Sequence, residues 1–320
     1  MSDYKGIQGT AVQNLSVDPT DPVEGQVWFN TTTGTFKFTA DTFVNSWTAG
    51  TALNTARRTL AGSGAQLSSL AFGGFTTINV GNTESWNGVS WTELNDLNTA
   101  RKELAGSGIQ TAALAFGGNT TVNVSNNESF DGTTWSELTD LNVVRSNLAG
   151  AGTNTAALAF GGFTTTRVGS TESWDGTSWT ILASLNTGRD TLGGVGINTS
   201  ALAFGGFSTA IVGNTESWNG TSWTEVNNLN TARQSLAGDG TQTTALAFGG
   251  FTTVNVGNTE TWNGTSWTEL NDLNTVRRSL AGAGTNTAAL AFGGLTTVSV
   301  ANTEEWNPVY QTKTLLVNYS

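Results

Sequence analysis

The chain repeats itself every 44 residues, and no other feature constrains its fold as tightly. Phe-Gly-Gly begins at Phe72, Phe116, Phe160, Phe204, Phe248 and Phe292, each 44 residues after the last. A tryptophan column keeps the same step through Trp47, Trp91, Trp135, Trp179, Trp223 and Trp267, but 44 residues past Trp267 stands Gln311. The two columns are offset, so the first copy lacks its early segments and the last lacks its final one. Such a unit cannot bury its faces alone and must stack on its neighbours. If the segment around Trp47 completes the last copy, the stack closes into a ring of six with no free end face.

Each copy carries four strand signals. Leu104-Ala105-Gly106-Ser107-Gly108 is small and Gly-rich, as a crowded inner strand beside a central channel requires. Ala112 to Phe116 alternates small and large, with Leu114 and Phe116 on one face, so a large face can meet a small one on the neighbour. Thr83 to Trp86 and Ser90 to Leu94 form an outer pair around Asn87-Gly88, which becomes Asp131-Gly132, Asp175-Gly176, Asn219-Gly220 and Asn263-Gly264. Asn-Gly and Asp-Gly are strong signals for a two-residue type I′ hairpin. The last copy has Asn307-Pro308, where proline forbids that turn and the chain is expected to leave the ring. The predicted fold is all-β: a six-bladed β-propeller over residues 41–307, four antiparallel strands per blade, preceded by a short N-terminal segment. Charged residues make up 12% of the chain, against about 25% in an average protein, which suits dense turns and strands.

The Phe-Gly-Gly, the Glu-x-Trp strand, the Trp that starts the fourth strand and the Arg after it resemble the kelch repeat over residues 41–307. A WD40 reading fits less well, because no Gly-His appears and Trp-Asp occurs in one copy alone, at Trp174-Asp175.

A two-residue turn at Asn87-Gly88 would set Trp86 opposite Val89 and Glu84 opposite Trp91. Cross-strand partners and i, i+2 neighbours share a face, so each blade would gather a Glu with two aromatics: Glu84, Trp86 and Trp91; Glu128, Phe130 and Trp135; Glu172, Trp174 and Trp179; Glu216, Trp218 and Trp223; Glu260, Trp262 and Trp267; Glu304 and Trp306 completed by Trp47. An arginine column runs alongside through Arg57, Arg101, Arg145, Arg189, Arg233 and Arg277. One reading is structural, with each Arg pairing a Glu between blades under the Trp rings, since the guanidinium fork suits both carboxylate and aromatic plane. The resemblance to kelch proteins implies that structural role. The other reading is a saccharide site of carboxylates beside Trp faces. Thr-Glu-Ser-Trp-Asn-Gly-Thr-Ser-Trp-Thr resembles part of the six-bladed fucose-binding lectins, although Leu-Ala-Phe-Gly-Gly stands where those lectins carry a ligand-binding Arg.

The loop after the second strand and the crossover after the fourth should share one end of the ring. Phe75, Asn119, Phe163, Phe207, Phe251 and Leu295 lie there and form a candidate docking rim, provided they are exposed. The column Asn79, Asn123, Arg167, Ile211, Asn255 and Ser299 is the most heterogeneous nearby and is the expected place for differences between blades.

Chemistry is narrowed by absences. The chain has no His and no Cys, and Tyr4, Tyr310 and Tyr319 all fall outside the repeats. That removes most nucleophile–base pairs and metal sites, and the copper-oxidase and sialidase types of propeller active site. No cofactor, no metal and no enzymatic activity is expected; an acid–base carboxylate pair on a glycoside would have to arise from a Glu that recurs in every copy. A formal net charge of −11 without a basic cluster argues against nucleic acid and anionic membrane partners. No apolar run reaches the roughly 18 residues of a membrane span, and the first ten residues lack a signal-peptide core. Asn219-Gly220-Thr221 and Asn263-Gly264-Thr265 match glycosylation sequons but need no role beyond hairpin turns.

Residues 1–40 are expected outside the ring, with a hairpin over 26–38 and a C-terminal strand at Thr314-Leu315-Leu316-Val317 packing on it. Residues 21–37, Asp-Pro-Val-Glu-Gly-Gln-Val-Trp-Phe-Asn-Thr-Thr-Thr-Gly-Thr-Phe-Lys, resemble a short module of tailed-phage virion proteins. That resemblance implies a virion protein held to other virion proteins through residues 1–40, with a propeller that binds a host-surface glycan or another virion protein. A ligand-free spacer or decoration protein, and a free multivalent lectin, are the rival expectations.

Overall fold

A computed structural model of the chain describes residues 12–20 and 26–315, and within them every regular element is a strand. Contacts divide the chain into two units, residues 46–307 and residues 1–45 with 308–320. The strands Thr35–Gly50 and Thr303–Leu315 each run across that division.

In the larger unit the repeat becomes a series of four-stranded antiparallel sheets, an architecture consistent with a β-propeller. The first sheet orders Ala61–Ala65, Ser68–Phe72, Thr83–Trp86 and Trp91–Glu93 from inner to outer edge. Four further sheets follow at the 44-residue step. The sixth starts with Ala281–Gly284 and Ala289–Phe292, continues with the beginning of Thr303–Leu315, and has Thr35–Gly50 next in order. Trp47 there repeats the contacts of Trp91. Its carbonyl accepts from Asn274 Nδ2 at 2.7 Å, as that of Trp91 accepts from Asn54 Nδ2 at 3.1 Å. Its ring lies 5.2 Å from Trp306 and 4.9 Å from Phe248, against 5.3 Å for Trp91–Trp86 and 5.0 Å for Trp91–Phe292.

Alternation along the second strand drives the stacking. Leu70 and Phe72 face the next sheet and pack on Ala113 and Ala115 there, all four fully buried. The same cluster recurs around the series, and one instance joins Leu290 and Phe292 of the sixth sheet to Ala71, Trp86 and Trp91 of the first. The approach is close enough to demand glycine: a Cβ on Gly106 would stand 2.5 Å from Cζ of Phe72, and one on Gly62 would stand 2.6 Å from Cζ of Phe292.

A second set of contacts runs round the inner edges. The N–H of Glu103 donates to the carbonyl of Thr59, Asn147 to Glu103, Thr191 to Asn147, Ser235 to Thr191, Ser279 to Ser235 and Thr59 to Ser279, all at 2.8–2.9 Å. These six residues also hold left-handed φ angles of 51–58°, a conformation that non-glycine residues keep only under strong tertiary support.

In the smaller unit, Val27–Asn30 pairs antiparallel with the beginning of Thr35–Gly50 through a turn at residues 31–34, and Gln13–Leu15 adds parallel to its other side. Asp18 closes the far end of that hairpin, accepting from Trp28 Nε1 at 3.0 Å, Asn30 Nδ2 at 2.7 Å and Lys37 Nζ at 2.5 Å. Residues 1–11, 21–25 and 316–320 lie outside the described residues, and with them part of the phage-like segment and the Leu316-Val317 end of the expected C-terminal strand.

Candidate functional site

The outer hairpin differs from the expected one. Trp86 pairs with Trp91, Ser85 with Thr92 and Glu84 with Glu93, so Trp86 does not face Val89, nor Glu84 Trp91. Four residues, 87–90, form the loop. Asn87 Oδ1 accepts from the N–H groups of Val89 and Ser90, both at 2.9 Å, which holds the chain in a wider Asx turn. Gly88 supplies the turn's left-handed φ of 90°, whereas a type I′ turn would need it at Asn87 as well. The error is two residues, an even shift, so Glu84, Trp86 and Trp91 still share one face.

That face is interior. Glu84 and Trp86 are 0% exposed and Trp91 5%, and the five other groups are buried likewise: Glu128, Phe130 and Trp135; Glu172, Trp174 and Trp179; Glu216, Trp218 and Trp223; Glu260, Trp262 and Trp267; Glu304, Trp306 and Trp47. Arg57 reaches Glu84 from the approach loop of its own sheet. Its Nη1 donates to Glu84 Oε1 and to the carbonyl of Thr55, Nε to Gly73 and Nη2 to Ala71. Glu84 Oε2 accepts from the N–H of Asn54 at 2.6 Å and Oε1 from that of Thr55 at 3.3 Å. The ion pair recurs in Arg101–Glu128, Arg145–Glu172, Arg189–Glu216, Arg233–Glu260 and Arg277–Glu304, although Nε of Arg145 and Arg189 has no acceptor. Each pair therefore lies within one sheet rather than between sheets, and pins the incoming crossover to the third strand. Burial lowers the pKa of Arg145 and Arg277, and Glu172 and Glu304 work against that shift.

The tryptophans link sheets instead. Trp91 Nε1 donates to Thr303 Oγ1 at 3.0 Å, Trp135 to Thr83 at 3.0 Å, and Trp47 to Thr259 at 2.9 Å, each across to the preceding sheet. Both carboxylate oxygens and the Trp faces are thus occupied inside the protein, and the cluster offers a saccharide no open surface.

A second acidic column went unrecognised because the misplaced register hid it. Glu93, Glu137, Glu225 and Glu269 lie directly opposite Glu84, Glu128, Glu216 and Glu260. Burial and then the neighbouring Glu84 raise the Glu93 carboxyl, and burial with Glu128 raises Glu137. In each of these two pairs one carboxylate, Glu84 or Glu128, is already engaged by a buried arginine, Arg57 or Arg101.

The crossover and the loop after the second strand share one end, joined by Gly74 N–H to Arg101 O at 2.9 Å and Leu97 N–H to Gly81 O at 2.9 Å. Phe75, Phe163, Phe207, Phe251 and Leu295 are half-buried there rather than presented. Arg58 lies 4.6 Å and Lys102 5.1 Å from the Phe75 ring, Arg167 4.3 Å from Phe207, and Arg278 4.4 Å from Phe251. The exposed apolar groups are three residues further on: Ile78 at 67%, Val122 at 65%, Val254 at 62% and Val298 at 64%. The heterogeneous column is a set of loop ties. Asn79 donates to the carbonyls of Asn119 and Thr120, Asn123 to Phe163 and Thr164, and Asn255 to Leu295 and Thr296. Arg167 instead meets Asp190 at 3.4 Å.

No protein-family model and no curated protein matches the chain.

Proposed function

We propose that the six sheets are the blades of one closed, kelch-like propeller and that the protein is a non-enzymatic structural or adhesion component of a tailed-phage virion. The cycle of six inner backbone hydrogen bonds supports closure, because Thr59 N–H to Ser279 O returns the series to its start. One observation carries the non-enzymatic reading. The Arg–Glu–Trp constellation, the chemically richest in the repeat, is buried, and both oxygens of Glu84 are taken by Arg57 and the N–H groups of Asn54 and Thr55, so its role is rigidity. Attachment to other virion proteins belongs to residues 1–40 on the resemblance of residues 21–37. Contact with a host glycan or a further virion protein belongs to the rim, where Ile78, Val122, Val254 and Val298 stand on four successive blades and Thr166 and Ala210 break the arc. A ligand-free spacer is the second reading, favoured by the near-identity of the copies.

The test is a rim variant with Ile78, Val122, Val254 and Val298 changed to serine, assayed for binding to host cells and glycan arrays. Loss of binding at an unchanged Tm supports a docking rim. Unchanged binding removes the rim from the reading, and absence of binding by the parent protein favours the spacer.

A further inference from the structure

The middle of each inner strand forms a column of Ser63, Ser107, Ala151, Val195, Asp239 and Ala283, and Asp239 is the one charged residue in those six strands. A Cβ on Gly282 of the sixth sheet would stand 3.0 Å from Asp239 Oδ2 and 3.1 Å from Oδ1, so the carboxyl lies in the seam between the fifth and sixth sheets. The seam is apolar. Asp239 pairs with Leu246 in its own sheet, and Ala237, Leu246, Phe248, Leu280, Ala289 and Ala291 belong to one buried cluster there. Asp239 is 6% exposed, and its Oδ2 has no hydrogen-bond partner. The strands packed about it are Gly193–Ile197, Ala245–Phe248, Ala281–Gly284 and Ala289–Phe292, and none of them holds a titratable or charged residue. The turns at 241–244 and 285–288 hold none either. The ion pairs of these two sheets, Arg233–Glu260 and Arg277–Glu304, are closed on themselves. In such a place the neutral acid is favoured over the carboxylate, and burial alone holds the Asp239 carboxyl well above the usual carboxylate range. At the same position in the second sheet, Ser107 Oγ donates to the Thr153 carbonyl of the third at 3.2 Å, so the position suits a neutral donor. A protonated carboxyl is one as well.

We propose that Asp239 is a proton-dependent latch: as a neutral acid it lets the fifth and sixth sheets close on one another, and its ionisation loosens that seam before any other. The sign follows from linkage. The folded chain keeps this proton over a pH range in which the unfolded chain has lost it. The stability that the neutral acid permits is therefore full below the ordinary aspartate value of 3.8, and it falls as pH rises until the folded-state value is passed. The other five positions of the column are Ser, Ala or Val and have no group to titrate. One seam of the series thus answers to pH, and acid tightens it. This inference stands on the packing of two consecutive sheets and is independent of the virion reading.

The experiment is urea unfolding of the full chain between about pH 4 and about pH 9 for the wild type, Asp239→Asn and Asp239→Ala. Two sister sheets carry Ala at this position, Ala151 and Ala283, so the alanine variant should fold. As pH rises, the folding equilibrium of the wild type should weaken relative to both variants by up to about tenfold per pH unit, then level off. Hydrogen exchange locates the effect. The Ser279 N–H, bonded to the Ser235 carbonyl across this seam, should lose protection with rising pH in the wild type and keep it in Asp239→Asn. The Asn147 N–H, bonded to the Glu103 carbonyl between the second and third sheets, should keep its protection in both proteins. The same pH dependence in all three proteins, equal loss of protection at Ser279 and Asn147, or a carboxyl NMR midpoint for Asp239 near 3.8 would overturn the proposal.

Discussion

Trp179 is the member of the tryptophan column whose indole N–H finds no acceptor, and the cause is one residue away in space rather than in sequence. Its sisters donate to Thr83, Thr171, Thr215, Thr259 and Thr303, but the corresponding place holds Asn127, whose Oδ1 is also unpartnered. Asn127→Thr should restore the missing bond and add about 1 kcal/mol of stability in chemical denaturation. No gain, or a loss, would mean that the Asn127 amide bond to the Thr139 carbonyl matters more. Asp18 gives a second expectation. The hydrogen bonds from Lys37, Asn30 and Trp28 lower its carboxyl from 3.8 to about 2. A depressed carboxylate pKa favours the folded unit above the ordinary value, and that contribution is lost as pH falls through the depressed one. Carboxyl NMR should follow Asp18 to a midpoint near 2, and Asp18→Asn should flatten the acid dependence of the hairpin between pH 3.8 and about 2. A midpoint near 3.8 would show that the three donors do not hold it.

At the scale of strands and turns, the stacking of one sheet on the next rests on glycine at the inner strand. Gly106→Ala would drive a methyl group into the ring of Phe72 and toward the Gly62 carbonyl. We expect a loss of about 1–3 kcal/mol from overpacking, measured by urea unfolding; a neutral substitution would mean that the strands do not approach so closely. Much of this level was legible in the residues. The 44-residue step placed the strands of the six sheets, and the parity of Leu114 and Phe116 gave the large face that meets the small one, whereas Gln13–Leu15 lies outside the repeat and was not expected. The outer register was not legible, because Asn-Gly suits both a two-residue turn and the four-residue Asx turn that Asn87 makes. The Arg and Glu columns were visible as partners, yet their placement within one sheet depends on how the crossover loop folds back, which no local pattern encodes. Burial of the Phe75 column was hidden for the same reason: Arg58, Lys102 and the Asn79 ties reach it from loops distant in sequence. The break of charge at Asp239 was readable in its column, but the placing of its unpartnered oxygen against Gly282 of the sixth sheet was not.

For the whole molecule, everything turns on whether the last sheet meets the first. The offset between the Phe-Gly-Gly and tryptophan columns raised that requirement. The packing of Phe292 on Gly62 and Trp91, the bond from Trp91 to Thr303 and the hydrogen bonds between inner edges are the contacts on which the proposed closure rests. Because the chain lacks cysteine, spin labels can be placed without background at equivalent exposed rim positions. Thr77, Thr121, Thr209 and Thr297 serve, being on the first, second, fourth and sixth sheets. The most direct measurement is the pulsed-EPR distance between Thr77→Cys and Thr297→Cys, compared with the Thr77–Thr121 and Thr77–Thr209 pairs. A closed ring requires Thr77–Thr297 to match Thr77–Thr121 and to fall well short of Thr77–Thr209. A Thr77–Thr297 distance longer than Thr77–Thr209 would show an open array and contradict the account.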